Sequence, residues 1–154
     1  MVYVPFSLAR ARALRAGEPL DLVHGHATTP SLRRELAVAE NDEEGDFAAL
    51  NAAGVAALDG LAEARRLVLA ADVGAGQVVD GHGSSGEVQV VGLAWPQVQS
   101  LFADEEAAGP AVVAAARAAT GVPLGQAYDL PAVVALTDTQ DLLWFAPAEL
   151  DALG

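Results

Sequence analysis

The 154-residue sequence contains no lysine, no cysteine and no isoleucine. Each absence removes a chemistry. Without lysine there is no Schiff base, no lysine-borne cofactor and no phosphate-loop lysine. Without cysteine there is no disulfide, no thiolate nucleophile and no thiolate zinc site. Long apolar runs are also missing, because Gly109, Pro110 and Arg117 interrupt the alanine-rich stretch 107–119. The start, MVYVPFSLARARALRAG, has no long apolar segment behind a basic one and predicts no signal peptide. These features point to a soluble, cytoplasmic protein with no membrane contact.

Hydrophobic residues make up 53% and charged residues 19%, too apolar for a disordered chain. The length fits one domain with its own core, so residues 1–154 are read as a single domain. All eight basic residues are arginine, against 21 acids, for a net charge of −13. Residues 1–34 carry +3 and the rest −16. Such a field repels nucleic acid and anionic membranes, and leaves a protein partner or a homo-oligomer as the expected associations.

Along the chain, Val2–Phe6 reads as a short strand, and Ser7 as the N-cap of a helix Leu8–Ala16 stopped by Gly17. Leu20–Ala27 is a second strand candidate. Thr29-Pro30 reads as an N-cap followed by first-turn proline. Asp42 is a candidate cap, and helical spacing of Phe47, Leu50, Gly54, Leu58 and Leu61 predicts one helix over Glu43–Glu63. Leu67–Ala71 is a buried strand. Five glycines at 74, 76, 81, 83 and 86 make Gly74–Gly86 an internal loop. Glu87–Val91 is a strand, and Gln97–Phe102 is either a helical turn or an edge strand. Acids 104–106 open a helix to Thr120, Asp129 caps Leu130–Leu136, Leu142–Ala146 is a strand, and Ala148–Leu153 is a closing helical turn. Interleaved strands and helices predict an α/β domain, with α+β as the neighbouring class, built on a mixed sheet of about five strands covered by helices. Leu142, Leu143, Trp144 and Phe145 place apolar side chains on both faces, which reads as a central strand; an exposed aromatic platform is the alternative.

Few patterns carry chemistry. Gly81-His82-Gly83-Ser84-Ser85-Gly86 spells the dinucleotide fingerprint, but a strand follows it where the fingerprint needs a helix, so no cofactor is predicted. The same segment is one residue short of G-x-S-x-G. His24 and His26 lie two apart and share one strand face, suited to a metal edge, with His82 and Asp80 as further ligands only if the glycine loop folds back. The acids at 42–46 and 104–106 sit in first helical turns, where hydration and the helix dipole account for them. No catalytic residue can be assigned.

Val2-Tyr3-Val4-Pro5, His26-Ala27-Thr28-Thr29-Pro30-Ser31-Leu32-Arg33, Val68-Leu69-Ala70-Ala71-Asp72-Val73 and Leu142-Leu143-Trp144-Phe145-Ala146 with Glu149-Leu150 resemble a small actinobacterial family of uncharacterised proteins, a domain of unknown function. That family usually has Tyr at Phe145 and a His-Val-Asp run where Leu101-Phe102-Ala103-Asp104 stands. The resemblance implies a cytosolic single domain and brings no activity. The expectation is therefore a non-catalytic interaction or regulatory domain. The alternative is a small hydrolase-like enzyme using His and carboxylate chemistry, metal-assisted in one version, with His24, His26 and His82 as its candidates.

Overall fold

A computed structural model describes residues 1–37, 43–80 and 86–154. The described strands are β1 (Val2–Phe6), β2 (Leu22–His26), β3 (Leu67–Ala71), β4 (Val78–Asp80), β5 (Glu87–Val91), β6 (Val98–Ala103) and β7 (Leu143–Phe145). They form one sheet in the order β4-β5-β2-β1-β3-β6-β7, and every pairing is antiparallel. The expected α/β domain is therefore found, but with seven strands among the described residues and no parallel pair. Helix-containing connections suggested parallel crossovers. A helix in the connection does not by itself make a crossover: α1 (Leu8–Arg15) has eight residues, about 12 Å of helix. Residues 16–21 then carry the chain back to the end of the sheet it left.

Ser7 and Thr29 do cap their helices. Ser7 Oγ accepts from Arg10 N–H at 3.2 Å, and Thr29 Oγ1 accepts from Leu32 N–H at 3.1 Å at the start of α2 (Pro30–Leu36). The next helix, α3 (Glu43–Ala56), is shorter than its periodicity predicts. Leu58 continues the spacing because it is buried, but in the turn that follows the helix. The remaining helices are α4 (Gly109–Ala119), α5 (Leu124–Ala127) and α6 (Pro131–Thr139). Asp129 does not cap α6, whose N-cap position is Leu130. The chain closes with a 3-10 helix over Pro147–Leu153.

Alternation along β1 and β3 loads both faces of the sheet. Val2, Val4 and Phe6 meet Leu67, Leu69 and Leu101 on one face, beneath Ala11 and Leu14 of α1 and Leu150 and Leu153 of the closing helix. Tyr3, Val68 and Ala70 face the other way, against Ala49 and Ala53 of α3 and Leu32 of α2. Small residues bring α3 close: a Cβ on Gly45 would lie 2.7 Å from Thr28 Cγ2. A third cluster joins Val55 and Leu58 to Val112, Val133 and Leu136, and seats α4 and α6 beside the end of α3. On the first face, Asp151 accepts from Arg15 Nη2 at 2.9 Å, which together with Arg12 holds its carboxyl below the usual carboxylate range.

Residues 74–80 are not loop throughout. Residues 75–77 form a 3-10 turn and Val78–Asp80 is edge strand β4. Gln77 and Gln97 build this end. Gln77 Oε1 accepts from Gly74 N–H at 3.0 Å, Gln97 Oε1 accepts from Ala94 N–H at 3.0 Å, and Gln97 Nε2 donates to Gln77 Oε1 at 2.7 Å. Gln97 itself belongs to a 3-10 turn, and Val98–Ala103 is an interior strand between β3 and β7, so the edge-strand alternative fails. Gly81, His82, Gly83, Ser84 and Ser85 lie outside the described residues, as do Glu40, Asn41 and Asp42.

Buried Tyr3 meets Phe102 edge-on, with ring centroids 6.3 Å apart. Burial, and secondarily the charge of Asp46, pushes its phenol above the ordinary value. The folded state therefore keeps the proton that the unfolded chain loses near pH 10. The associated stability is complete below that pH and is lost as pH rises through the folded value. Tyr3→Phe should flatten the alkaline fall of the urea midpoint; an unchanged fall would assign it to other groups.

Candidate functional site

A groove of about 500 Å3 lies between β1, β2 and the turns after α3. Pro5 opens it. The β1–β3 ladder runs unbroken from Val2↔Ala71 to Phe6↔Leu67, whereas β1 and β2 pair only at Tyr3↔His26. An antiparallel strand directs successive backbone groups to alternate sides. The intact ladder therefore puts the Pro5 nitrogen on the β2 side, opposite His24. Proline has no hydrogen to donate there. The ladder stops, and Pro5, Phe6, Leu22 and His24 become groove wall.

The groove gathers Ser7, Arg10, His24, Asp59 and Glu63. The Arg10 guanidinium stacks over Phe6, 4.5 Å from the ring centroid. Glu63 Oε2 accepts from Leu8 N–H at 3.4 Å, and Asp59 Oδ1 accepts from Gly121 N–H at 2.9 Å. Among the described residues His24 makes no hydrogen bond to a groove carboxylate or to Ser7, and Arg10 has no ion pair within 4 Å.

The structure separates the histidines by environment. His24 and His26 share a sheet face, as their spacing predicts, but His24 is exposed in the groove and His26 is buried beside Tyr3. His82 lies outside the described residues. Among the described residues no group of three or more His, Asp or Glu side chains is placed to hold a metal.

The opposite edge carries a different surface. The segment Leu142–Ala146 is not a covered central strand: β7 is a three-residue edge strand that, among the described residues, pairs only with β6. Trp144 stands opposite Phe102 on the α3 side of the sheet and is 62% exposed; Leu143, on the other face, is 43% exposed. Beside the start of β7, a cleft of about 290 Å3 runs between α3 and the α6–β7 link. Phe47, 67% exposed, lines it with Asn51, Asp141 and Leu142. Phe47 follows Glu43, Glu44 and Asp46 in the first turn of α3.

The cleft also reaches Arg66, which is neutralised. Arg66 Nη2 donates to Asp104 Oδ1 at 2.7 Å, and Arg66 Nε and backbone N–H both donate to Asp104 Oδ2 at 2.9 Å. Both side chains are buried. Asp104 is thus a core group and not a hydrated first-turn acid; the helix α4 begins five residues later, at Gly109. Sequence reasoning missed this pair, since nothing local marks which of three consecutive acids turns inward.

A model of the family of unknown function DUF6912 matches residues 1–153. The chain belongs to that family. No curated protein and no solved structure matches. Membership in DUF6912 covers both surfaces just described, and its description brings no activity to either. No described helix is long and apolar enough to cross a membrane.

Proposed function

We propose that this protein is a cytosolic, non-catalytic interaction domain whose β7 edge receives an extended, basic segment of a partner protein. The observation that carries the reading is Trp144, 62% exposed on an edge strand with Phe47 and Leu143 also open to solvent. An unpaired strand edge offers backbone donors and acceptors to an added strand, and flanking side chains supply specificity. An exposed tryptophan at such an edge is the residue type that anchors interfaces. Charge selects the partner. The chain carries −13 overall, the carboxylates of Glu43, Asp46 and Asp141 belong to the flanking elements, and Arg66 is cancelled by Asp104. A basic segment is attracted, and a second copy of this chain is repelled.

The test is selection of short peptides from a random library against the intact protein. Enriched sequences should alternate apolar residues with Arg or Lys. Trp144→Ser should weaken their binding roughly thirtyfold, the effect of losing about 2 kcal/mol at an anchor. Affinity should fall as salt rises. Enrichment of acidic peptides, no enrichment, or unchanged binding by Trp144→Ser would each refute the reading.

A second reading, a small hydrolase-like enzyme, draws support from His24 sharing a groove with Ser7, Asp59 and Glu63. Nucleophilic chemistry needs the base in hydrogen-bond reach of its nucleophile, and His24 lacks that contact to Ser7.

A further inference from the structure

The groove at Pro5 carries side chains of both charges. On its strand and α1 side stand Arg10 and His24; on the side of the turns after α3 stand Asp59 and Glu63. These groups share one cavity, yet Arg10 pairs with neither carboxylate within 4 Å. Neither a simple anion nor a simple cation uses both the Arg10 guanidinium and the two carboxylates. A zwitterion does: its carboxylate can meet the Arg10 fork, and its ammonium the two acids.

The backbone adds a further recognition point. Because the Pro5 nitrogen carries no hydrogen, the carbonyl of His24 receives no donor from β1. His24 lines the groove, and we read its carbonyl as a further acceptor for an ammonium N–H. Arg10 is also held in place by its stack on Phe6, which reduces the freedom it would lose on binding. The rest of the lining includes Leu22, Val23, Ala57 and Leu61, a surface for an aliphatic side chain. The groove's size falls within the range of small-molecule pockets.

We propose that this groove is a binding site for a free aliphatic α-amino acid, with Arg10 on the carboxylate and Glu63 and Asp59 on the ammonium. The site is independent of the β7 surface and makes the domain a ligand-responsive one. It binds without chemistry: no bond is made or broken.

The experiment is calorimetric titration of the intact protein with leucine, valine and methionine, alongside thermal unfolding with each at about 10 mM. Two leucine relatives serve as controls: N-acetyl-leucine, which lacks the ammonium, and 3-methylbutylamine, which lacks the carboxylate. At least one amino acid should bind and raise the unfolding midpoint, with both controls at least tenfold weaker. Arg10→Gln should weaken binding at least tenfold. Glu63→Gln, which keeps an acceptor for Leu8 N–H, should do the same. Trp144→Ser should leave amino-acid affinity unchanged, so this proposal and the β7 reading fail separately. The proposal is overturned if no amino acid binds, if either control binds as tightly as leucine, or if Arg10→Gln or Glu63→Gln, folded as the native chain, retains native affinity.

Discussion

Replacing Asp104 with alanine should lower the unfolding free energy by about 3–5 kcal/mol, the range for a buried ion pair stripped of one partner. The carboxylate accepts three hydrogen bonds from Arg66, two from the guanidinium and one from the backbone. It sits just past the Leu67↔Ala103 pair, where β3 and β6 end their ladder. Without Asp104, Arg66 keeps a charge that is almost wholly removed from water, with no counter-ion in place. Water admitted through the α3–α6 cleft is the only relief, and it would disturb the seat of α3. Removing both charges is a different matter. An Arg66→Met, Asp104→Leu double variant should recover most of the loss, because the attraction in such a pair largely offsets its own desolvation. Arg66→Lys alone, with Asp104 in place, should itself lower stability, since an ammonium cannot make the two-pronged contact. Urea unfolding of the four proteins reads these values directly. A loss below about 1 kcal/mol for Asp104→Ala would place the pair in the class of solvated surface bridges and contradict its burial.

What could be read in advance divides along a physical line. Ser7 and Thr29 were legible as caps because capping is a contact over three residues. Strands β1, β3 and β5 were legible because their alternation or apolar run is local. The strand count was not, because β4 sits among glycines that mark a loop, and the contact that holds its turn joins Gln77 to Gln97, twenty residues away. The end of α3 was misplaced because Leu58 keeps the helical spacing while lying in a turn. For β7, apolar residues on both faces describe a covered central strand and a sticky edge equally well, and only the strand order distinguishes them. The His24 and His26 face was correctly inferred, but the different fates of the two rings depend on which helices lie above them. The groove had one visible signal, a proline inside a strand-like run at Pro5. Its consequence needed the knowledge that β2 lies on that side of β1.

Gly86→Ala should be among the most damaging single-methyl additions in the molecule, at roughly 2–4 kcal/mol. Two costs coincide there. Gly86 has φ +72°, a region that L side chains enter at a cost of about 1–2 kcal/mol. A Cβ built on it also lies 2.1 Å from the carbonyl oxygen of Ala27 and 3.0 Å from Leu32 Cδ2. The oxygen belongs to backbone and cannot swing aside as a side chain would. Gly121 isolates the first cost: its φ is +77° and nothing lies within 4 Å of its would-be Cβ. The difference between Gly86→Ala and Gly121→Ala in urea unfolding therefore measures the clash alone, and equal losses would show that the close approach carries no energy. The approach matters because Ala27 N–H donates to the Gly86 carbonyl at 2.9 Å, extending the β2–β5 ladder just beyond His26↔Glu87. That ladder is the main support of β2, since Pro5 has released β2 from β1 along the groove. Forcing Gly86 away from Ala27 loosens the strand that carries His24. Gly86→Ala should accordingly weaken amino-acid binding, and native affinity in the folded variant would show that β2 is held in place by other contacts.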